Sequence, residues 1–315
     1  MIKPDGIYPS TCWECSTRCG SLVTLENGHV TKVGPNPEHP GSKGAFCVKG
    51  IRALPELTYS PNRIGSPMRR AGARGSGQWD EISWDDALEE MADRLLAVRA
   101  EHGPEAIIGA VSSAFFSRGA MVALLMRSLG SPNWMMNQDL CGGCRALSDK
   151  VTGLGIVGGE DVENTRCALI VGRNPSAADP VQWMALKRAK KNGAKFIVID
   201  PAQTPAAKLA DIWLRPKPGS DAAIALAMIN VIIKENLLDS EFVEKWTHGF
   251  EDLEKRAADY SPNHAARLSG VSANDIIEAA RLYAAGPSCF VSGHGIDAFS
   301  NGVQTFRAFH CLVAI

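Results

Sequence analysis

Four cysteines near the start of this chain, Cys12, Cys15, Cys19 and Cys47, are spaced C-x2-C-x3-C-x27-C. Three thiols within eight residues, joined by a fourth after a glycine-marked excursion, can converge on one inorganic centre. A four-thiolate zinc site is normally built from two C-x2-4-C pairs, one at each end of a loop. Here one end supplies three sulfurs and the other supplies one. That is the layout of cysteine-ligated iron–sulfur clusters, so the spacing favours a 4Fe–4S cluster. Zinc and two disulfide bridges are the alternatives, although a chain of 315 residues needs no disulfides to hold a core.

The remaining composition is that of an ordinary globular protein, 45% hydrophobic and 21% charged, with length for two or three domains. A net charge of −1 gives no reason to expect nucleic acid or an anionic membrane surface as partner. No apolar run approaches a membrane span, so no membrane insertion is expected. The opening residues lack the basic and apolar regions of a secretion signal, and nine cysteines fit a reducing compartment. The expected location is the cytoplasm.

Residues 21–33 read as a hairpin about Asn27-Gly28 that steadies the first three cysteines, while 35–44 form a loop delivering Cys47. Lys49 is either a solvated loop lysine or an ammonium set against the reduced cluster or an anionic cofactor beside it. Residues 61–82, rich in Pro, Gly and Arg, read as a connector. Ser83 then caps an amphipathic helix that Gly103-Pro104 ends. A parallel strand over 106–111 and an apolar helix over 119–129 make an α/β unit, with Ser112 and Ser113 in the loop between them.

The polar, glycine-rich stretch 137–145 contains Cys141-Gly-Gly-Cys144-Arg145 and resumes as a helix toward Gly153. Its cysteine pair admits a redox dithiol, half of a zinc site, a soft thiolate for molybdenum or tungsten, or two inert buried thiols. From 166 onward the pattern is doubly wound α/β, with strands at 167–172, 195–200, 210–215 and 288–293. Asp200 ends a strand 28 residues after Gly172, where a carboxylate can meet a ribose hydroxyl, yet no G-x-G-x-x-G fingerprint is present. Thr204 either donates to a phosphate or caps the next helix. Ser220 and Asp221 open another helix, either as an anion or base site or as an ordinary cap. The chain stops within a final helix, so it is expected to be part of a longer protein.

These features occur in an order that resembles the catalytic subunits of the molybdopterin oxidoreductases, the dimethyl sulfoxide reductase family. The resemblance runs from Cys12 to the end. It is carried by the cysteine quartet with Cys47-Val-Lys-Gly50, by Ser60-Pro-Asn-Arg63 and by Ile82-Ser-Trp-Asp85. Gly172-Arg-Asn-Pro175, Ile199-Asp-Pro201 and Pro218-Gly-Ser-Asp221 complete the set. It implies a small β-rich iron–sulfur module over 1–62, followed by doubly wound α/β dinucleotide-binding domains. Residues 63–136 with 287–315 would form one α/β domain whose second half is missing. Residues 137–286 would form the domain that binds molybdopterin guanine dinucleotide.

The resemblance further implies a bis-molybdopterin guanine dinucleotide cofactor carrying molybdenum or tungsten. Cys12, Cys15, Cys19 and Cys47 would ligate the 4Fe–4S cluster, and Lys49 would lie between cluster and pterin. Cys141 fits the position of the metal ligand best, with Cys144 the alternative and Arg145 matching the arginine of a Cys-x-x-Pro-Arg pattern in some relatives. Gly172, Asn174, Asp200, Thr204, Ser220 and Asp221 would line one dinucleotide arm. The implied activity is two-electron, often oxygen-atom, transfer on a small substrate, with electrons passed to a partner subunit or carrier. Formate is disfavoured because Gly142 stands where formate dehydrogenases of the family place a histidine. Hydration is disfavoured because Ser16 stands where acetylene hydratase has an acid. The alternatives are a hydratase or hydroxyl-transferring relative, and a molybdenum-free scaffold like the large iron–sulfur subunit of NADH dehydrogenase.

Overall fold

A computed structural model describes residues 3–15, 17–112, 116–136, 141–154 and 160–315. The chain divides into two compact units, Met1–Asn137 and Gln138–Ile315. Ser16, Ser113 and the 137–140 part of the glycine-rich loop lie outside the described residues.

The first unit begins with an antiparallel sheet of order β1-β2-β3, formed by Gly6–Thr11, Gly20–Glu26 and His29–Pro35. The expected hairpin is β2–β3. Asn27 and Gly28 both take positive φ, 52° and 75°, as a two-residue turn between right-twisted strands demands. Strand β1 was not expected, because Pro9 interrupts its pattern; an edge strand tolerates the missing donor. After the loop come one π-turn, Lys49–Ala53, and the short helix α1, Leu54–Thr58.

The presumed connector contains a small antiparallel ribbon, β4 (Met68–Arg70) with β5 (Trp79–Glu81). Ser83 then caps α2, Trp84–His102, its Oγ accepting the Asp86 N–H at 3.1 Å. No residue of α2 is buried, although its sequence is amphipathic; Leu88 and Met91 are exposed. Strand β6, Gly109–Val111, runs parallel to β7, Trp134–Met136, with α3, Phe116–Leu129, between them in the chain. β7 is too short for its alternation to register in the sequence.

The second unit opens with α4, Gly143–Thr152. Its centre is a four-stranded sheet of order β10-β9-β8-β11, built from Ile212–Leu214, Lys195–Ile199, Cys167–Val171 and Ser288–Ser292. All of its pairings are parallel. β8 is buried at every position, as a strand covered on both faces must be, which explains its unbroken apolar run. One layer comprises α6 (Pro180–Lys191) and α7 (Pro205–Lys208), where Leu186, Ala189 and Ala206 pack with Phe196 and Val198. The opposite layer holds α8 (Asp221–Lys234), α9 (Ala273–Ala284) and α10 (Gly302–Val313), with Met228, Ile276 and Phe309 in one core. The pairing of β11 with β8 puts 287–315 in the same compact unit as 138–286, whereas the sequence reading joined them to 63–136. Parallel pairing needs a crossover, so strand order cannot be read from chain order.

Candidate functional site: a thiol cluster and a sheet-edge cofactor site

The thiol group sits where the chain enters and leaves the first sheet. Cys12 follows β1, and its N–H donates to the Cys19 carbonyl at 2.8 Å just before β2 begins. Arg18 takes a left-handed φ of 49° to close this short excursion. Cys12 and Cys19 are buried, Cys15 and Cys47 half-buried, and all nine cysteines of the chain are thiols. Burial pushes the Cys12 thiol up, opposed by a backbone hydrogen bond with Glu14; the nearby Cys15, Cys47 and Glu14 side chains push it further. Crowded thiolates repel one another until a cation neutralises them, which is the electrostatics a metal centre relieves. The all-sulfur donor set suits iron–sulfur chemistry. Among the described residues no group of three or more His, Cys, Asp and Glu is gathered as it would be around a single metal ion. Lys49 follows Cys47 by two residues and is half-buried at the head of the π-turn.

In the second unit the order of the sheet reverses between β8 and β11, so the crevice for a ligand lies at their carboxyl ends. There the backbones come close: the Gly295 N–H donates to the Gly172 carbonyl at 3.0 Å. Gly172 has φ +54°, and a Cβ on it would stand 3.0 Å from the Gly295 backbone, so only glycine fits. Asn174 accepts the Ser176 hydroxyl at 2.7 Å and precedes the turn α5, Pro175–Ala178. Asp200, at the end of β9, accepts the Ala202 N–H at 2.8 Å, and burial raises its carboxyl. Asp221 opens α8, and burial first, then the charge of Asp200, pushes it up to about 6 against a backbone hydrogen bond. Ser220 makes no cap bond and instead donates to the Lys217 carbonyl. Thr204 is a helix cap: its Oγ1 accepts the Ala207 N–H at 3.1 Å. Asp200 and Asp221 therefore share one electrostatic neighbourhood, where a carboxylate pair suits sugar hydroxyl or base N–H donors.

The two cysteines of the pair diverge. Gly142 is left-handed, φ 86°, and starts α4 just after Cys141. Cys144 packs against the core beside Gly302, where a Cβ would meet its Sγ at 2.9 Å. Cys141 instead turns to His294, with Sγ 3.8 Å from Nε2. His294 Nδ1 donates to Asp297 Oδ2 at 3.0 Å, and Asp297 Oδ1 accepts the Cys144 N–H at 3.1 Å. A turn further along α4, Arg145 lies 3.8 Å from the buried Asp149, which also pairs with His310 at 3.3 Å. His294, Asp297, Asp149 and His310 escaped the sequence reading. The one available signal was a histidine and an aspartate three apart directly after Gly293, which follows β11.

The molybdopterin oxidoreductase Fe4S4 domain matches residues 6–60, and the molybdopterin oxidoreductase model matches 63–315. Acetylene hydratase of Syntrophotalea acetylenica is 35% identical over 96% of this chain and 42% of its own length. The thiosulfate reductase molybdopterin-containing subunit PhsA of Salmonella typhimurium is 35% identical over 91% of this chain and 38% of its own. The solved acetylene hydratase from Pelobacter acetylenicus superimposes with a TM-score of 0.80 at 32% identity, covering 98% of this chain and 43% of that one. The chain thus spans less than half the length of these relatives. With an Fe4S4 domain leading into a doubly wound dinucleotide-type sheet, the chain belongs to the molybdopterin oxidoreductase family.

Proposed function

We propose that this chain is the cluster- and cofactor-binding portion of a molybdenum- or tungsten-dependent oxidoreductase acting on a small molecule. The observation that carries this reading is the divergence of Cys141 from Cys144: both are half-buried, but one sulfur lies beside His294 while the other packs against the core. An electron-transfer scaffold would need no such displayed thiol. Cys12, Cys15, Cys19 and Cys47 would ligate a 4Fe–4S cluster, and Cys141 would ligate the metal of a bis-molybdopterin guanine dinucleotide. That cofactor, when bound, supplies a metal able to accept or give two electrons, often with an oxygen atom.

This chain's residues bind, orient and tune. The Gly172–Gly295 contact presents bare backbone that would let one dinucleotide arm approach closely, and Asn174 and Ser220 would hydrogen-bond that arm. Asp200 and Asp221 supply carboxylates for hydroxyl or base N–H groups of the same arm. Thr204, already spent as a cap, would act there by holding the turn after β9. Lys49 would offset the negative charge that an added electron brings to the cluster. Arg145, held by Asp149, is the guanidinium nearest in sequence to the metal ligand and would orient an anionic substrate or intermediate. Electrons would leave singly through the cluster to a partner subunit or carrier in the cytoplasm. No helix among the described residues is long and apolar enough to cross a membrane.

Hydration without net electron transfer is a second reading, favoured by the likeness to acetylene hydratases. Ser16 in place of an acid weighs against it. Formate weighs less, because Gly142 stands where formate dehydrogenases of the family place a histidine. Elemental analysis of the purified full-length protein tests the proposal: iron together with molybdenum or tungsten is expected, and iron alone would leave only a scaffold.

A further inference from the structure

The tether on Cys141 comes from far along the chain. Residue 141 precedes a left-handed glycine and stands outside the hydrogen-bond ladder of α4. Position outside the helix leaves the backbone of α4 unable, by itself, to fix the direction of the Cys141 side chain. The described contact that does so is His294, 153 residues later, which reaches Sγ with Nε2 at 3.8 Å. His294 alone would be a poor guide, since its side chain is 65% exposed and free to change rotamer. Asp297 removes that freedom. Its carboxylate is 1% exposed and spends one oxygen on the imidazole and the other on the Cys144 N–H.

Sulfur, imidazole, carboxylate and backbone amide thereby close a ring that joins the first turn of α4 to the segment after β11. The Asp297 links use a group that burial would otherwise leave costly: a carboxylate inside the fold is tolerated only when its lone pairs are occupied. The ring does not depend on where one proton sits. A Cys141 thiol donating to Nε2 and an Nε2–H donating to the thiolate lie along the same line.

We infer that His294 and Asp297 are positioning residues for the metal-ligating sulfur, fixing Cys141 in one rotamer at the carboxyl edge of the sheet. This rests on the reading of Cys141 as ligand. Outer residues that orient a ligand commonly change metal affinity or activity by about 10- to 100-fold when removed.

The test uses the full-length holoenzyme with four variants: Cys141→Ala, His294→Ala, His294→Gln and Asp297→Asn. The readouts are metal content, the metal–sulfur shell by X-ray absorption, and kcat with KM. His294→Ala should keep iron content, with a modest loss of thermal stability because one oxygen of the buried Asp297 carboxylate loses its partner. It should broaden the metal–sulfur shell and lower kcat about tenfold with KM little changed. His294→Gln, which can still present a side-chain N–H, should restore most of both. Asp297→Asn should resemble His294→Ala if it folds; His294 carries the test if it does not. A Cys141→Ala protein with an altered shell beside a His294→Ala protein with an unaltered shell and rate would overturn this inference alone. An unaltered shell in both would overturn the ligand reading, and this inference with it.

Discussion

Asp221 is buried within reach of the charge of Asp200, one at the amino end of α8 and the other at the carboxyl end of β9. Burial mainly, and Asp200 in addition, hold the Asp221 carboxyl near 6 rather than 3.8. A site that stores two acids this close is unfavourable when empty and favourable when a donor-rich ligand fills it.

The sign of the pH effect follows. The folded-state value lies above the unfolded one, so Asp221 contributes stability below pH 3.8 that is lost as pH rises through about 6. The difference of roughly two units corresponds to about 3 kcal/mol at neutral pH as an upper figure. Asp221→Asn should therefore stabilise the cofactor-free protein at pH 7.5 by about 1–3 kcal/mol, a gain that shrinks toward pH 4. Urea melts of wild type and variant at both pH values check it; equal stabilities at pH 7.5 would contradict the burial argument.

Asp221→Ala should do the opposite for function, because it would remove an acceptor proposed for the dinucleotide arm. Less molybdenum or tungsten per cluster is expected after purification, with iron unchanged. Full metal content in this variant would remove Asp221 from the site.

His310 predicts a second, opposite pH trend. Burial lowers its pKa below 6.5, with Asp149 opposing and Arg145 reinforcing the shift. The unfolded chain takes the proton first, so this histidine costs stability as pH falls from about 7 through 6.5 toward its folded value. Because Asp221 gains stability over part of the same range, the check is a comparison rather than a single curve. His310→Gln should flatten the loss between pH 7.5 and 5.5 in thermal melts, and an unchanged slope would refute it.

Cys141→Ala should leave cluster absorbance intact and abolish turnover, whereas Cys144→Ala should keep the metal and cost about 1 kcal/mol of stability through a small core void. The reverse outcome would exchange the roles of the two thiols.

Gly172→Ala places a Cβ 3.0 Å from the Gly295 backbone at a φ of +54°, so both strain and collision act. Destabilisation of about 1–3 kcal/mol is expected, together with loss of cofactor retention. A thermal melt and metal analysis on the same preparation separate the two effects.

Much of this was readable from residues alone. The cysteine quartet announces a cluster because thiol spacing has few other uses. β8 and β9 are plain because a strand covered on both faces is apolar throughout, and Asn27-Gly28 is plain because few pairs of residues accept two positive φ values. β1 was hidden by Pro9, and β4, β5 and β7 by having three residues each. The place of β11 beside β8 is a crossover that no local pattern encodes. His294 and Asp297 were invisible for the same reason: their partners stand 153 positions away.

That distance sets an order of events during biosynthesis. The thiol at 141 leaves the ribosome long before the imidazole that aims it, and the imidazole is aimed only once the last strand has docked against β8. With Cys141 as the proposed ligand, loading of a heavy metal at that sulfur would follow the docking of β11 against β8. The quartet near the amino end, gathered within the first 47 residues, carries no such delay.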